Sequence, residues 1–136
     1  MGKAAVMENK YAGIGTLNEH SLHAFLKEYL EPCESCREVK VGRLVADIKN
    51  ENGIVEIQTR GFSHLQKKLG VFLADYKVTV VYPVARKKRI IWVDPMTGET
   101  SLPRRSPKTG EPWEIFYELI YIKKLLRSQN LQLKII

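Results

Sequence analysis

Apolar positions along the chain fall into helical and alternating runs that lay out an order of elements. Leu22, Phe25, Leu26, Tyr29 and Leu30 recur at helical spacing. Thr16 and Glu19 have the spacing of a capping box, and Pro32 stops the run, so a first helix is expected from Thr16. Residues 1–15 are weakly patterned and are read as a mobile leader to it. Glu38 to Lys49 reads as extended, with Gly42 as a bulge. Asn50-Glu51-Asn52-Gly53 is a turn carrying the Asn-Gly hairpin signal, and Ile54 to Thr59 is the returning strand. Gly61 breaks it. Ser63 to Leu73 is a second amphipathic helix through Leu65, Leu69, Phe72 and Leu73. Lys77 to Val84, rich in β-branched residues, predicts a buried strand, with Arg89 to Val93 as its neighbour across a turn at Ala85 to Lys88. Asp94 to Pro112 is a long basic loop with four prolines, and Trp113 to Leu126 a third helix. Leu131 to Ile136 alternates and ends in Ile-Ile, like a strand that continues in a longer protein. The order α-β-β-α-β-β-α gives one α/β domain over residues 16–136, with a mixed central sheet flanked by helices.

Composition sharpens this picture. A chain of 136 residues fits one domain with a sizeable core, and 44 % hydrophobic with 27 % charged residues is an ordinary globular balance. No apolar run approaches the roughly 18 residues that span a bilayer. Met1 to Lys10 lacks the apolar centre of a secretory signal, so a cytoplasmic protein off the membrane is expected. The net charge of +7 favours polyanions, nucleic acid foremost. The cations gather at Lys67-Lys68, Arg86 to Arg89 and Arg104 to Lys108. Cys33 and Cys36 are half a zinc site at most, even with His20 and His23 upstream, and read better as free thiols after the first helix.

The hairpin carries the candidate chemistry. Side chains alternate along a strand, and residues opposite each other share a face. A two-residue turn at Asn52-Gly53, or a four-residue turn over Asn50 to Gly53, puts Asp47, Glu56 and Gln58 on one face. Leu44, Ala46, Ile48, Val55, Ile57 and Thr59 take the other. Two neighbouring carboxylates repel, and a divalent cation relieves the repulsion. Hard oxygen ligands suit Mg2+ or Mn2+, and such a site activates water and stabilises charge on a phosphate. The competing reading is a solvated sheet face with Lys49 paired to Glu56. Glu19 falls on the apolar stripe of the first helix, where a carboxylate needs a partner, unless it completes the capping box with Thr16. Arg60, Lys67 and Lys68 follow the hairpin and suit phosphate contacts, with Arg104, Arg105 and Lys108 as a second set. Trp92 and Trp113 are expected to pack in the core or at a helix start.

Asp47, a short turn and Glu56-Ile57-Gln58, preceded by a helix bearing Glu19, resemble the PD-(D/E)xK superfamily of restriction endonucleases and Holliday junction resolvases. The resemblance spans about Thr16 to Val84. It implies a common core of order α-β-β-β-α-β, with the acid and the E-x-K on the second and third strands. It implies Mg2+ or Mn2+ held by Asp47, Glu56 and the backbone carbonyl of Ile57, and a catalytic set of Glu19, Asp47, Glu56 and Gln58. The activity implied is DNA phosphodiester hydrolysis, with pairing into a homodimer to cut two strands. Ala46 stands where the family has Pro. Gln58 stands where it has Lys, so a lysine from Lys49 or Lys67 is sought instead. A non-catalytic nucleic-acid-binding domain of the same fold, or a partner-binding α/β module, are the alternatives.

Overall fold

The computed structural model describes the backbone from residue 14 and side chains from residue 20. The first helix, α1, spans Ile14–Leu30. It begins two residues before the capping-box spacing predicts, so Thr16 lies in its first turn and not at its cap. The segment read as mobile lies outside the described residues up to Ile14, and so does the side chain of Glu19. Cys33 precedes and Cys36 ends a short 3-10 turn after the helix (Glu34–Cys36), both as free thiols.

The extended region after the helix is two strands, β1 (Arg37–Val41) and β2 (Leu44–Asn50). Val41 pairs with Leu44, so Gly42-Arg43 is a hairpin turn and not a bulge. Gly42 has φ +62°, a left-handed conformation that glycine adopts without steric cost. β3 (Gly53–Ile57) returns antiparallel to β2. Asn50 pairs with Gly53 across Glu51-Asn52, and the Asn50 side chain accepts the Asn52 N–H. Gly53 is required twice over: its φ is +123°, and a Cβ there would lie 2.3 Å from the Lys77 carbonyl oxygen.

After α2 (Phe62–Phe72), β4 (Val78–Tyr82) lies parallel to β3. Arg89–Ile90 is not the neighbour of β4. As β5 it pairs with β6 (Arg104–Arg105) in a separate two-stranded ribbon. The two differ in exposure: β4 is almost wholly buried, whereas both residues of β5 are exposed. The long basic loop is thus mostly this ribbon, extended by a bridge from Val93 to Thr100. The place beside β4 goes to β7 (Leu131–Ile135), again parallel. Among the described residues the main sheet has the order β1-β2-β3-β4-β7.

The third helix is shorter than expected. A 3-10 turn at Pro112–Glu114, α3 (Ile115–Leu119) and a second 3-10 turn at Ile120–Ile122 replace a single long helix, anchored in the core by Ile115 and Ile122. Both tryptophans are exposed, Trp113 at 58 % and Trp92 at 68 %, against the packing expected of them. One sheet face meets α1 through Leu26, Ile48, Ile57 and Val81. The other meets α2 and α3 through Ile54, Val78, Val80, Phe62, Leu65, Leu69 and Phe72. No described helix is long and apolar enough to cross a membrane.

Candidate functional site

The paired register of β2 and β3 runs from Asn50–Gly53 up to Ile48–Val55. One step beyond, side chains take over from the ladder. The Asp47 N–H donates to Glu56 Oε1 at 3.2 Å, and the Ile57 N–H donates to Asp47 Oδ2 at 2.9 Å. Each carboxylate therefore binds the backbone of the opposite strand at the mouth of the hairpin. β3 meanwhile keeps its bond to β4, where Gln58 N–H donates to the Val81 carbonyl at 2.9 Å.

Helices on both sides supply the counter-charges. Lys68 of α2 donates to Glu56 Oε2 at 2.6 Å. His23 of α1 sets Nε2 at 3.2 Å from Asp47 Oδ2 and 3.0 Å from the Ile57 carbonyl oxygen. Glu56 is 2 % exposed, and burial, reinforced by the charge of Asp47, pushes its carboxyl up to about 7 despite Lys68. Burial also pushes Asp47 up, but His23, the Ile57 N–H and the charge of Lys68 outweigh it, and its carboxyl lies below the usual range. The hydrogen bond to Asp47 raises the His23 imidazole against the opposing effect of burial. The environment therefore pushes the two carboxyls apart, Asp47 toward its ionised form and Glu56 toward its protonated form, the kind of separation that acid–base sites use.

The backbone is distorted at the same place. Glu38, between the paired positions Arg37–Ile48 and Val39–Ala46, has φ +52°, an uncommon conformation for a residue with a side chain. Its carboxylate pairs with Lys27 of α1, which lies one helical turn beyond His23.

The expected residues divide as follows. Asp47, Glu56 and the Ile57 carbonyl come together. Gln58 does not join them: its side-chain amide donates to the Arg60 carbonyl at 2.6 Å. Lys49 lies over the Tyr76 ring, 5.3 Å from its centroid, so it neither pairs with Glu56 nor supplies the missing lysine. Lys67 points to solvent. Lys68, read as a phosphate contact, is the lysine of the acid pair. Arg104, Arg105 and Lys108 are exposed on and beside the ribbon. Sequence reasoning missed His23, Lys27 and Glu38. Helical spacing carries the signal for the first: His23 is three before Leu26 and seven before Leu30, on the stripe that meets the sheet. The same arithmetic puts Lys68 three after Leu65 and four before Phe72.

A cleft of about 440 Å³ is lined by Leu22, Thr59, Arg60, Tyr82 and Lys88, among others. Thr59 and Arg60 directly follow Gln58, and Leu22 precedes His23, while Asp47, Glu56, His23 and Lys68 themselves are not part of its lining. Among the described residues no three His, Cys, Asp or Glu side chains cluster as a ready-made metal site. The oxygen set on offer is two carboxylates and one backbone carbonyl.

The model of a protein family, a domain of unknown function (DUF8091), matches residues 20–136. An uncharacterized protein of Treponema pallidum (strain Nichols) is 36 % identical over 124 residues, which cover 90 % of this chain and 49 % of that protein. The chain thus spans about half the length of the curated relative it matches. No solved structure matches it.

Proposed function

Since the chain belongs to the DUF8091 family, we propose from the geometry of the site that it is a metal-dependent DNA endonuclease of the PD-(D/E)xK kind, hydrolysing phosphodiester bonds with Mg2+ or Mn2+. One observation carries the reading: Asp47 and the Ile57 carbonyl converge on a single nitrogen, His23 Nε2, next to the buried Glu56–Lys68 pair. The first six elements also run α-β-β-β-α-β, with Asp47 on the second strand and Glu56 on the third.

The residues suit a hard divalent cation. Asp47 Oδ2 and the Ile57 oxygen already share one nitrogen neighbour, and the carboxylate of Glu56 is bonded to the backbone of Asp47. Two carboxylates and a carbonyl leave room for the waters and substrate oxygens that Mg2+ retains. Bound there, the ion would lower the pKa of a water and offset charge on the phosphate. The chain's own groups do the rest. His23 releases Asp47 Oδ2 and stays within reach of the site on α1. Lys68, fixed by Glu56, offers the positive charge that Gln58 lacks, aimed at an attacking water or a phosphate oxygen. The buried Glu56 would hold such an ion as a carboxylate, so binding would favour its ionised form. Arg60 and Lys88 flank the cleft and suit the phosphates on either side of the scissile bond.

The test is cleavage of supercoiled and branched DNA in Mn2+ by wild type, Asp47→Ala and Lys68→Met. Cleavage lost in both variants supports the reading. Cleavage unaffected by either, or metal binding that survives Asp47→Ala, overturns it. DNA binding without cleavage in the wild type would move the assignment to a non-catalytic domain of the same fold.

A further inference from the structure

The β5–β6 ribbon, residues 86–109, is the most strongly charged feature of the surface. Arg86, Lys87, Lys88 and Arg89 stand on one side of it, and Arg104, Arg105 and Lys108 on the other. Arg89 is directly opposite Arg105. Like charges opposed on an antiparallel pair destabilise it, so the arrangement lacks its counter-ion. Among the described residues no ion pair joins any of these seven cations to a carboxylate. Glu111, at the base, is the one acid lining the shallow cleft formed by Arg86, Lys87, Arg105 and Thr109.

Beyond the charged stem the ribbon turns apolar without being buried. Trp92, Met96 and Leu102 are 68 %, 91 % and 89 % exposed. Large apolar side chains gathered on an exposed protrusion mark a contact surface. The protrusion is built rigidly. Asp94 accepts the N–H groups of Met96 and Thr97 at 2.7 and 3.1 Å, and Gly98 N–H donates to the Asp94 carbonyl at 2.8 Å. Ser106 N–H donates to Lys88, and Gly110 N–H closes the neck on Ala85 at 3.0 Å. A Cβ at Gly110 would meet that Ala85 oxygen at 2.9 Å, so the close approach needs glycine. Lys88 and Gly110 line the same cleft as Thr59 and Arg60, the residues that follow the Glu56 strand in the chain.

We propose that this ribbon is a duplex-DNA arm: its cationic stem holds phosphates across a groove while its apolar tip wedges against bases near the hydrolytic site. A two-stranded ribbon fits a groove of B-DNA. Exposed apolar side chains on a cationic arm suit insertion at a base step that stacks poorly. Four of the seven cations are arginines, whose planar fork matches phosphate in two-point contacts. The arm therefore favours duplexes with a mismatch or an unpaired base. This substrate class rests on the nuclease reading only for what the site does afterwards; the grip itself needs no metal.

The experiment is fluorescence anisotropy of a labelled duplex of about 20 base pairs, fully paired or carrying one mismatch, with the full chain in EDTA across a salt series. Arg89→Ser with Arg105→Ser is expected to flatten the plot of log affinity against log salt by about two, since each phosphate contact contributes about 0.9. Met96→Ser should leave that slope unchanged and remove the preference for the mismatched duplex. With Trp113→Phe as background, Trp92 emission should be quenched by DNA. Circular dichroism confirms that each variant is folded. An unchanged slope in the double arginine variant, or wild-type binding to anionic vesicles in place of DNA, overturns the arm. If binding follows the arm but Mn2+ gives no Asp47-dependent cleavage, the nuclease reading fails alone. If cleavage depends on Asp47 while the arm variants bind like wild type, the arm fails alone.

Discussion

Replacing Glu56 by Gln should make the protein more stable in alkaline solution while removing its affinity for metal. The Glu56 carboxyl is raised from 4.5 to about 7 in the folded chain. The folded state thus holds this proton over a window where the unfolded state has lost it. Stability supplied by the group is present below about pH 4.5 and is lost as the pH rises through about 7. At 1.36 kcal/mol per pKa unit the full swing is about 3 kcal/mol. Glu56 is 2 % exposed, so little of this is screened by water. Most of the change, about 2.5 kcal/mol, falls between about pH 5 and pH 8. Gln keeps the shape, and its single carbonyl oxygen can still accept from the Asp47 N–H or from Lys68 but not from both in place, a cost common to all pH values. His23, also raised, titrates in both proteins, so the difference between the two profiles isolates Glu56. The assay is urea denaturation at intervals of pH, without divalent cations. With a slope of about 1–3 kcal/mol per molar urea, the midpoints should separate by about 1 M or more on going to pH 8. Parallel profiles for wild type and Glu56→Gln would refute the idea of a buried acid pushed toward its protonated form.

Four further results are expected. Saturating Mn2+ should raise the melting temperature of the wild type, by the equivalent of about 2.7 kcal/mol at a hundred times Kd, and Asp47→Ala with Glu56→Ala should erase the rise; a rise that persists would relocate the metal. Lys68→Met should move the Glu56 titration, followed by carboxyl NMR, to still higher pH, because the opposing charge is gone; an unmoved titration would sever the pair. Glu118→Ala should cost about 1 kcal/mol in urea unfolding, since Glu118 Oε2 accepts the Phe62 N–H at 2.9 Å and caps α2 where Gly61 has no side chain to do so; no change would show that water replaces it. Gln58→Lys should leave cleavage of DNA in Mn2+ little changed if Lys68 already supplies the charge, and a large gain would contradict that role.

The acid pair was legible because Asn50 to Gly53 is a strong turn signal, and an even turn puts Asp47 and Glu56 on one face. Two physical facts lay beyond local pattern. The two acids do not share a solvated face: Glu56 is buried against Lys68 of α2, and Asp47 is held by His23 of α1. Lys49 at the hairpin end turns to Tyr76. Likewise Arg89 to Val93 has the β-branched content of a strand, but neighbours of a doubly covered strand are chosen by burial. The place goes to Leu131–Ile135, far along the chain, whose Leu131 and Leu133 pack against the core while Gln132 and Lys134 stay exposed. Gly42 carried a true signal of broken extension, but bulge and tight turn differ only in pairing, which a single segment does not disclose.

The parallel pairing of β4 with β7 has a consequence for how the chain is made. Val78 meets Leu131 across more than fifty residues, so the sheet cannot close at that side until Leu131–Ile135 has left the ribosome. Until then β4, with Val78, Val80 and Val81 among its residues, is an open apolar edge of the sort that seeds aggregation. The ribbon in between is tied off at Ala85 and Gly110, which shortens the effective loop that β7 has to cross. The nascent chain should therefore depend on chaperones until β7 has emerged, and stop codons placed just before Leu131 should send it into inclusion bodies while leaving α1 to α3 intact in sequence.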